Sequence, residues 1–249
     1  MNSNSIILLT LSFGVTVGVP LYILFRDKMG KELANNLNFS RRRVFKLTAI
    51  NLTLNSLIGL VLLGMFLNLL ILFNSFSIYH IALALLFFVS AGTTFYGNGI
   101  YITSIILEAY TLPQLQRIKE FKTQFIATHL FHGPISHVLI YYGWPIAMFF
   151  LSLLELTSLQ DTNFPGGLLI IGGMATAIAY SVGQIYNHTY LYHLVTNSVL
   201  GIILSISFLI AKDLGPIYIY SLAFTVTSGI VLWIYSVRDN YSSARRPQV

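Results

Sequence analysis

The chain contains no cysteine, which excludes disulfides, thiolate metal sites and cysteine nucleophiles and leaves only nitrogen and oxygen ligands. Charge is scarce as well. Charged residues make up 9% of the 249 residues against 55% hydrophobic ones, and a mean hydropathy of +0.74 lies outside the soluble range. Long polar stretches are also missing: the two longest, Arg26–Lys46 and Glu108–Gln124, are too short to fold as domains of their own. The outer loops are shorter still, so no extracellular receptor domain is expected. With no linker, low-complexity tract or internal repeat, residues 1–249 read as a single transmembrane helical domain. The net charge of +6 would suggest nucleic acid only if a soluble domain presented it on one face. No nucleic-acid partner is expected.

What the chain has instead is apolar length. Seven segments, approximately 6–25, 47–73, 79–107, 125–154, 166–186, 192–211 and 217–235, can each cross roughly 30 Å of hydrocarbon at about 1.5 Å per helical residue. Those well over about 20 residues imply tilt or a break rather than extra spans. The first segment follows an uncharged Met-Asn-Ser-Asn-Ser and has no small-residue cleavage site after it, so it reads as a retained helix.

The basic residues give the orientation, because cytoplasmic loops keep Lys and Arg while translocated loops lose them. Arg26, Lys28, Lys31, Arg41, Arg42, Arg43 and Lys46 follow the first segment; Arg117, Lys119 and Lys122 follow the third; Arg238, Arg245 and Arg246 follow the seventh. Thus 13 of the 14 Lys and Arg residues fall on one side, and only Lys212 on the other. The expected fold is an all-α polytopic protein with seven transmembrane helices, N-terminus outside and C-terminus cytoplasmic, in the cell (plasma) membrane. The Arg41-Arg42-Arg43 cluster reads as a solvated positive-inside loop, with anionic lipid head groups as its alternative partner.

Polar groups in hydrocarbon are costly unless partnered, so they point toward function. Ser90, Thr94, Asn98, Tyr101 and Glu108 form one stripe on the third segment, with Gly92, Gly97 and Gly99 among them. The fourth opens with Thr128-His129-Leu130-Phe131-His132-Gly133-Pro134-Ile135-Ser136-His137. In a regular helix His129, His132 and Ser136 share a face and His137 does not, but a Pro134 kink could turn His137 toward the others. Thr176, Tyr180, Gly183 and Asn187 line the fifth segment, and a tight inner turn at Tyr186–Tyr190 leads to His193 and Asn197 on the sixth. Five of the six histidines therefore gather toward the cytoplasmic end, with His80 alone at the outer face.

Elsewhere, Gly14-x-x-x-Gly18 suggests a close internal helix contact, and Asn51 and Asn55 suggest packing hydrogen bonds. Glu155, at the outer end of the fourth segment, reads as solvated. Asn187-His188-Thr189 matches a glycosylation sequon but faces the cytoplasm on this map.

The topology resembles that of rhodopsins and G-protein-coupled receptors, yet the last segment has no Lys for a retinal Schiff base and no receptor motif is present. Histidines drawn from separate helices resemble those of the seven-helix ceramidase and adiponectin-receptor-like hydrolases, which hold zinc. No histidine follows His193, however, and the histidine boxes of membrane desaturases and hydroxylases need more than six residues. No family is assigned on these residues.

The candidate metal ligands are His129, His132, His137, His188 and His193, with Glu108 as the candidate catalytic proton carrier. Their donor types suit Zn or Fe, and a cross-helix pair such as His137 and His193 would suit haem. The chemistry expected is that of a metal-dependent hydrolase or a redox protein. Two alternatives remain beside it: an accessory or assembly subunit with partner membrane subunits, and a small-solute transporter, which the lack of a repeat disfavours. The lipid bilayer is the partner in every case.

Overall fold

A computed structural model describes residues 3–35, 41–73, 76–115, 121–158, 164–211 and 213–244. The elements are α1 (Ser3–Asn35), α2 (Arg41–Ile71), α3 (Ile78–Leu115), α4 (Phe121–Leu130), α5 (Ser136–Glu155), α6 (Gly166–Tyr186), α7 (Tyr190–Ile210) and α8 (Pro216–Ala244). A single π turn, Phe131–Ile135, joins α4 to α5 in one continuous rod. No strand occurs among the described residues. In hydrocarbon a helix satisfies its own backbone, which is why an apolar chain takes this form throughout.

Among the described residues six helical stretches are long and apolar enough to cross a membrane, the α4–α5 rod counting as one, and the described apolar part of α2, Ser56–Ile71, is shorter. The protein is an all-α polytopic membrane protein. The helices overrun the sequence-based limits where polar residues begin: α1 runs on to Asn35, α2 starts at Arg41 and α3 reaches Leu115. Hydropathy marks the edge of the hydrocarbon, not the end of the hydrogen-bonded helix. The side chains of Asn51, Asn55, Arg41, Arg42 and Arg43 lie outside the described residues, as do Arg117, Lys119, Lys212, Arg245 and Arg246.

Packing is most extensive between α3 and α5, then between α6 and α8, α7 and α8, and α1 and α6. The α3–α5 pair is close because two glycines permit it: a Cβ on Gly97 would lie 2.6 Å from the Ile140 nitrogen, and one on Gly143 would lie 2.4 Å from the Ser90 carbonyl oxygen. Leu8, Leu62, Met65, Leu69, Phe87, Leu151, Leu169 and Phe224 fill the core between α1, α2, α3, α5, α6 and α8. The outward faces are equally apolar, with Val89, Val195, Ile202 and Leu209 all exposed, as a bilayer requires and water would penalise.

Two sequence-based expectations are corrected here. Gly14 and Gly18 make no close internal contact, since a Cβ on either would meet nothing within 4 Å among the described residues. Glu155 is not solvated but buried, and its two carboxylate oxygens accept the backbone N–H groups of Ile217 (3.1 Å) and Tyr218 (2.7 Å). These are orphan donors in the first turn of α8, where a carboxylate also meets the positive end of the helix dipole. The end of α5 thus caps α8.

Candidate metal centre

The stripe on α3 faces α5, with Ser90, Thr94, Asn98 and Tyr101 all buried. Seven residues beyond Tyr101 it delivers Glu108 to the start of the α4–α5 rod. There the two carboxylate oxygens meet two imidazoles: Oε1 lies 3.1 Å from His129 Nδ1 and Oε2 lies 2.7 Å from His132 Nδ1. An ionised carboxylate only accepts, so in these contacts the imidazole N–H groups donate. Exposure is graded across the group, with side chains 16% exposed at Glu108, 18% at His132 and 66% at His129. The site therefore opens on the His129 side.

The π turn determines which histidines join. Pro134 has no N–H to give the carbonyl four residues back, and the backbone widens there. The Ser136 N–H reaches back to the Phe131 carbonyl as well as to Gly133. Ser136 Oγ donates to the His132 carbonyl, which the wider turn deprives of its usual partner. Residues five apart fall on nearly one face of a π turn, whereas a regular helix sets them about 140° apart. His137 accordingly lies with its ring centroid 6.3 Å from that of His132, and Tyr101 packs edge-on against both, at 5.0 and 5.3 Å.

A line of rings continues inward. His137 stacks on Tyr141 (6.0 Å, 3° between planes), and Tyr141 approaches His193 (6.4 Å), which is fully buried. The Tyr180 hydroxyl donates to the Tyr141 carbonyl at 2.9 Å, so its contact with His193 Nδ1 at 2.8 Å is donated by the imidazole. That assigns the Nδ1–H tautomer and leaves Nε2 as a lone pair with no hydrogen-bond partner among the described residues.

Of the predicted ligands, His129 and His132 come together, and Glu108, expected as the proton carrier, joins them: one possible ligand atom from each lies within 4.8 Å of the others. Ligands about 2 Å from a tetrahedral ion sit roughly 3.3 Å apart, so these donors are within range of a shared centre but not yet at its spacing. The cluster could hold a metal ion. His137 adjoins it through its ring, and His193 lies further in, with Tyr141 against both His137 and His193. His188 sits exposed in the turn after α6 with φ 57, a left-handed helix-ending position, and is not part of the group. His80 accepts from the Ser77 backbone N–H at 2.9 Å near the start of α3, at the other end of the bundle.

Sequence reasoning missed Tyr141. Its signal was present, four residues beyond His137 and so on the same helical face. No protein-family model matches the chain, and neither a curated protein nor a solved structure matches it.

Proposed function

We propose that the protein is a metal-dependent membrane hydrolase whose ion is held by Glu108, His129 and His132. The observation that carries this reading is the convergence of two imidazoles and one carboxylate from two helices within 4.8 Å. Three protein ligands leave a coordination position for water, the arrangement of catalytic rather than structural zinc sites. Such an ion would supply Lewis-acid activation of a water, and Glu108 would be the residue at the site able to carry a proton. His137 and Tyr101 support His132 through ring contacts. A bis-imidazole haem at His137 and His193 has less support, because the Tyr141 ring lies against both.

Metal analysis of protein purified in mild detergent tests the reading. About one zinc or iron per chain is expected, falling at least tenfold in His132→Ala and in Glu108→Gln. Affinity should also weaken as the pH is lowered, since protons compete for the imidazoles. Substoichiometric metal in the unaltered protein that zinc addition does not restore would reduce the cluster to an interhelical hydrogen-bonded staple.

A second reading, an accessory subunit of a membrane complex, is favoured by the outward-facing Gly14 and Gly18, whose open space would accommodate a neighbouring helix. Co-purification of a stable membrane partner that Gly14→Leu releases would support it.

A further inference from the structure

A groove lies beside the chain neighbours of Glu108, His129 and His132. Between α3 and α4 runs a furrow of about 690 Å³ walled by Phe95, Gly99, Thr103 and Leu107 on one side and by Thr128 and Phe131 on the other. Its size lies within the roughly 300–1,000 Å³ of small-molecule sites. The wall is apolar, and Phe95, Leu107 and Phe131 are all exposed, so the furrow opens sideways into the bilayer rather than into the bundle. A Cβ on Gly99, in the α3 wall, would meet nothing within 4 Å.

Three alignments give the furrow a direction. Phe95 to Leu107 spans about 18 Å at 1.5 Å per residue, close to the roughly 15 Å of one leaflet's hydrocarbon. Leu107, Thr128 and Phe131 in its wall are the immediate chain neighbours of Glu108, His129 and His132. At the same end Gln124 joins the lining and gives it a polar mouth. The cluster thus stands where the head-proximal atoms of a lipid would lie, not halfway along its chain.

We propose that this furrow is the substrate site, and that it takes one acyl chain of a phospholipid from the leaflet at the basic end. The chain terminus lies toward Phe95, and the head-proximal carbonyl lies beside Glu108, His129 and His132. The proposal rests on the metal-site reading for its chemistry but not for its geometry. Position beside the ester, away from the middle of the chain, is what a hydrolase needs and a mid-chain oxidase does not. The bilayer-facing opening lets substrate enter without leaving the membrane.

Photocrosslinking in phosphatidylcholine nanodiscs tests it, using two phosphatidylglycerol probes with a diazirine either near the acyl carbonyl or at the chain end. The head-proximal probe should label Leu107–Glu108 and Ala127–His132, and the chain-end probe Phe95–Gly99, each at least fivefold above other lipid-facing helices. Gly99→Trp and Thr103→Trp, two independent ways to fill the furrow, should each remove that excess while zinc content, measured on the same samples, stays at its unaltered level. Labelling spread evenly over α3, α6, α7 and α8, or unchanged in both variants, means annular lipid only and overturns the proposal. Localised labelling in protein that binds no zinc would uphold the lipid site and defeat the metal reading instead.

Discussion

Glu155 shows how much one residue can contribute from a position that local sequence marks as unremarkable. Its carboxylate is 2% exposed and receives two backbone N–H groups that α8 cannot satisfy internally. Replacing it by Gln keeps the volume but turns one of the two acceptors into a donor, so a buried N–H of Ile217 or Tyr218 loses its partner. A buried donor left unsatisfied costs about 1–3 kcal/mol. Glu155→Gln should therefore lower the thermal unfolding midpoint in detergent by several degrees, and Glu155→Ala by more. A Gln variant as stable as the parent would show that the carboxylate does not cap α8. Nothing near residue 155 could have announced this, because the partners lie more than 60 positions away and a lone Glu at a helix end reads as solvated.

At the scale of elements, the α3–α5 contact positions the candidate site, since α3 carries Glu108 and the rod ending in α5 carries both histidines. The contact depends on two glycines with no room for a Cβ. On Gly143 an added Cβ would lie 2.5 Å from Thr94 Oγ1 and 2.8 Å from the Thr94 nitrogen, so backbone must move. Overpacking of this kind costs roughly 1–3 kcal/mol. Gly143→Ala should destabilise the protein by about that amount and loosen metal binding as Glu108 shifts from His132. Gly92→Ala, on the partner helix α3 with nothing within 4 Å of the added carbon, is the control and should leave both unchanged. Equal effects of the two would remove the packing argument.

The same elements show what was legible. Hydropathy and the Ser90–Glu108 stripe were enough to locate the helices and the face of α3 that packs inward. The His129 and His132 spacing placed both imidazoles on one face. Pro134 announced a break but not its kind: whether a missing donor yields a kink or a π turn depends on the carbonyls around it, and only the π turn brings His137 beside His132. Hydropathy also placed His188 with the other histidines by depth alone, whereas its side of the bundle was set by a turn with positive φ.

For the whole molecule, the arrangement carries function only if the end bearing Glu108, His129 and His132 is also the basic end and lies in one compartment. One crossing by α3 sets its His80 end and the Lys122 start of α4 on opposite sides of the membrane, and the positive-inside rule predicts that the Lys122 end is cytoplasmic. The absence of cysteine makes this directly measurable, because a single introduced thiol is the only one in the protein. Ser77 and Lys122 are both exposed, one preceding α3 and the other opening α4. In intact cells a membrane-impermeant maleimide should label Ser77→Cys and not Lys122→Cys, with the second labelled only after permeabilisation. Labelling of both from outside would break the seven-crossing topology. Labelling of Lys122→Cys alone would invert it and turn the furrow and the Glu108–His129–His132 cluster toward the outer leaflet.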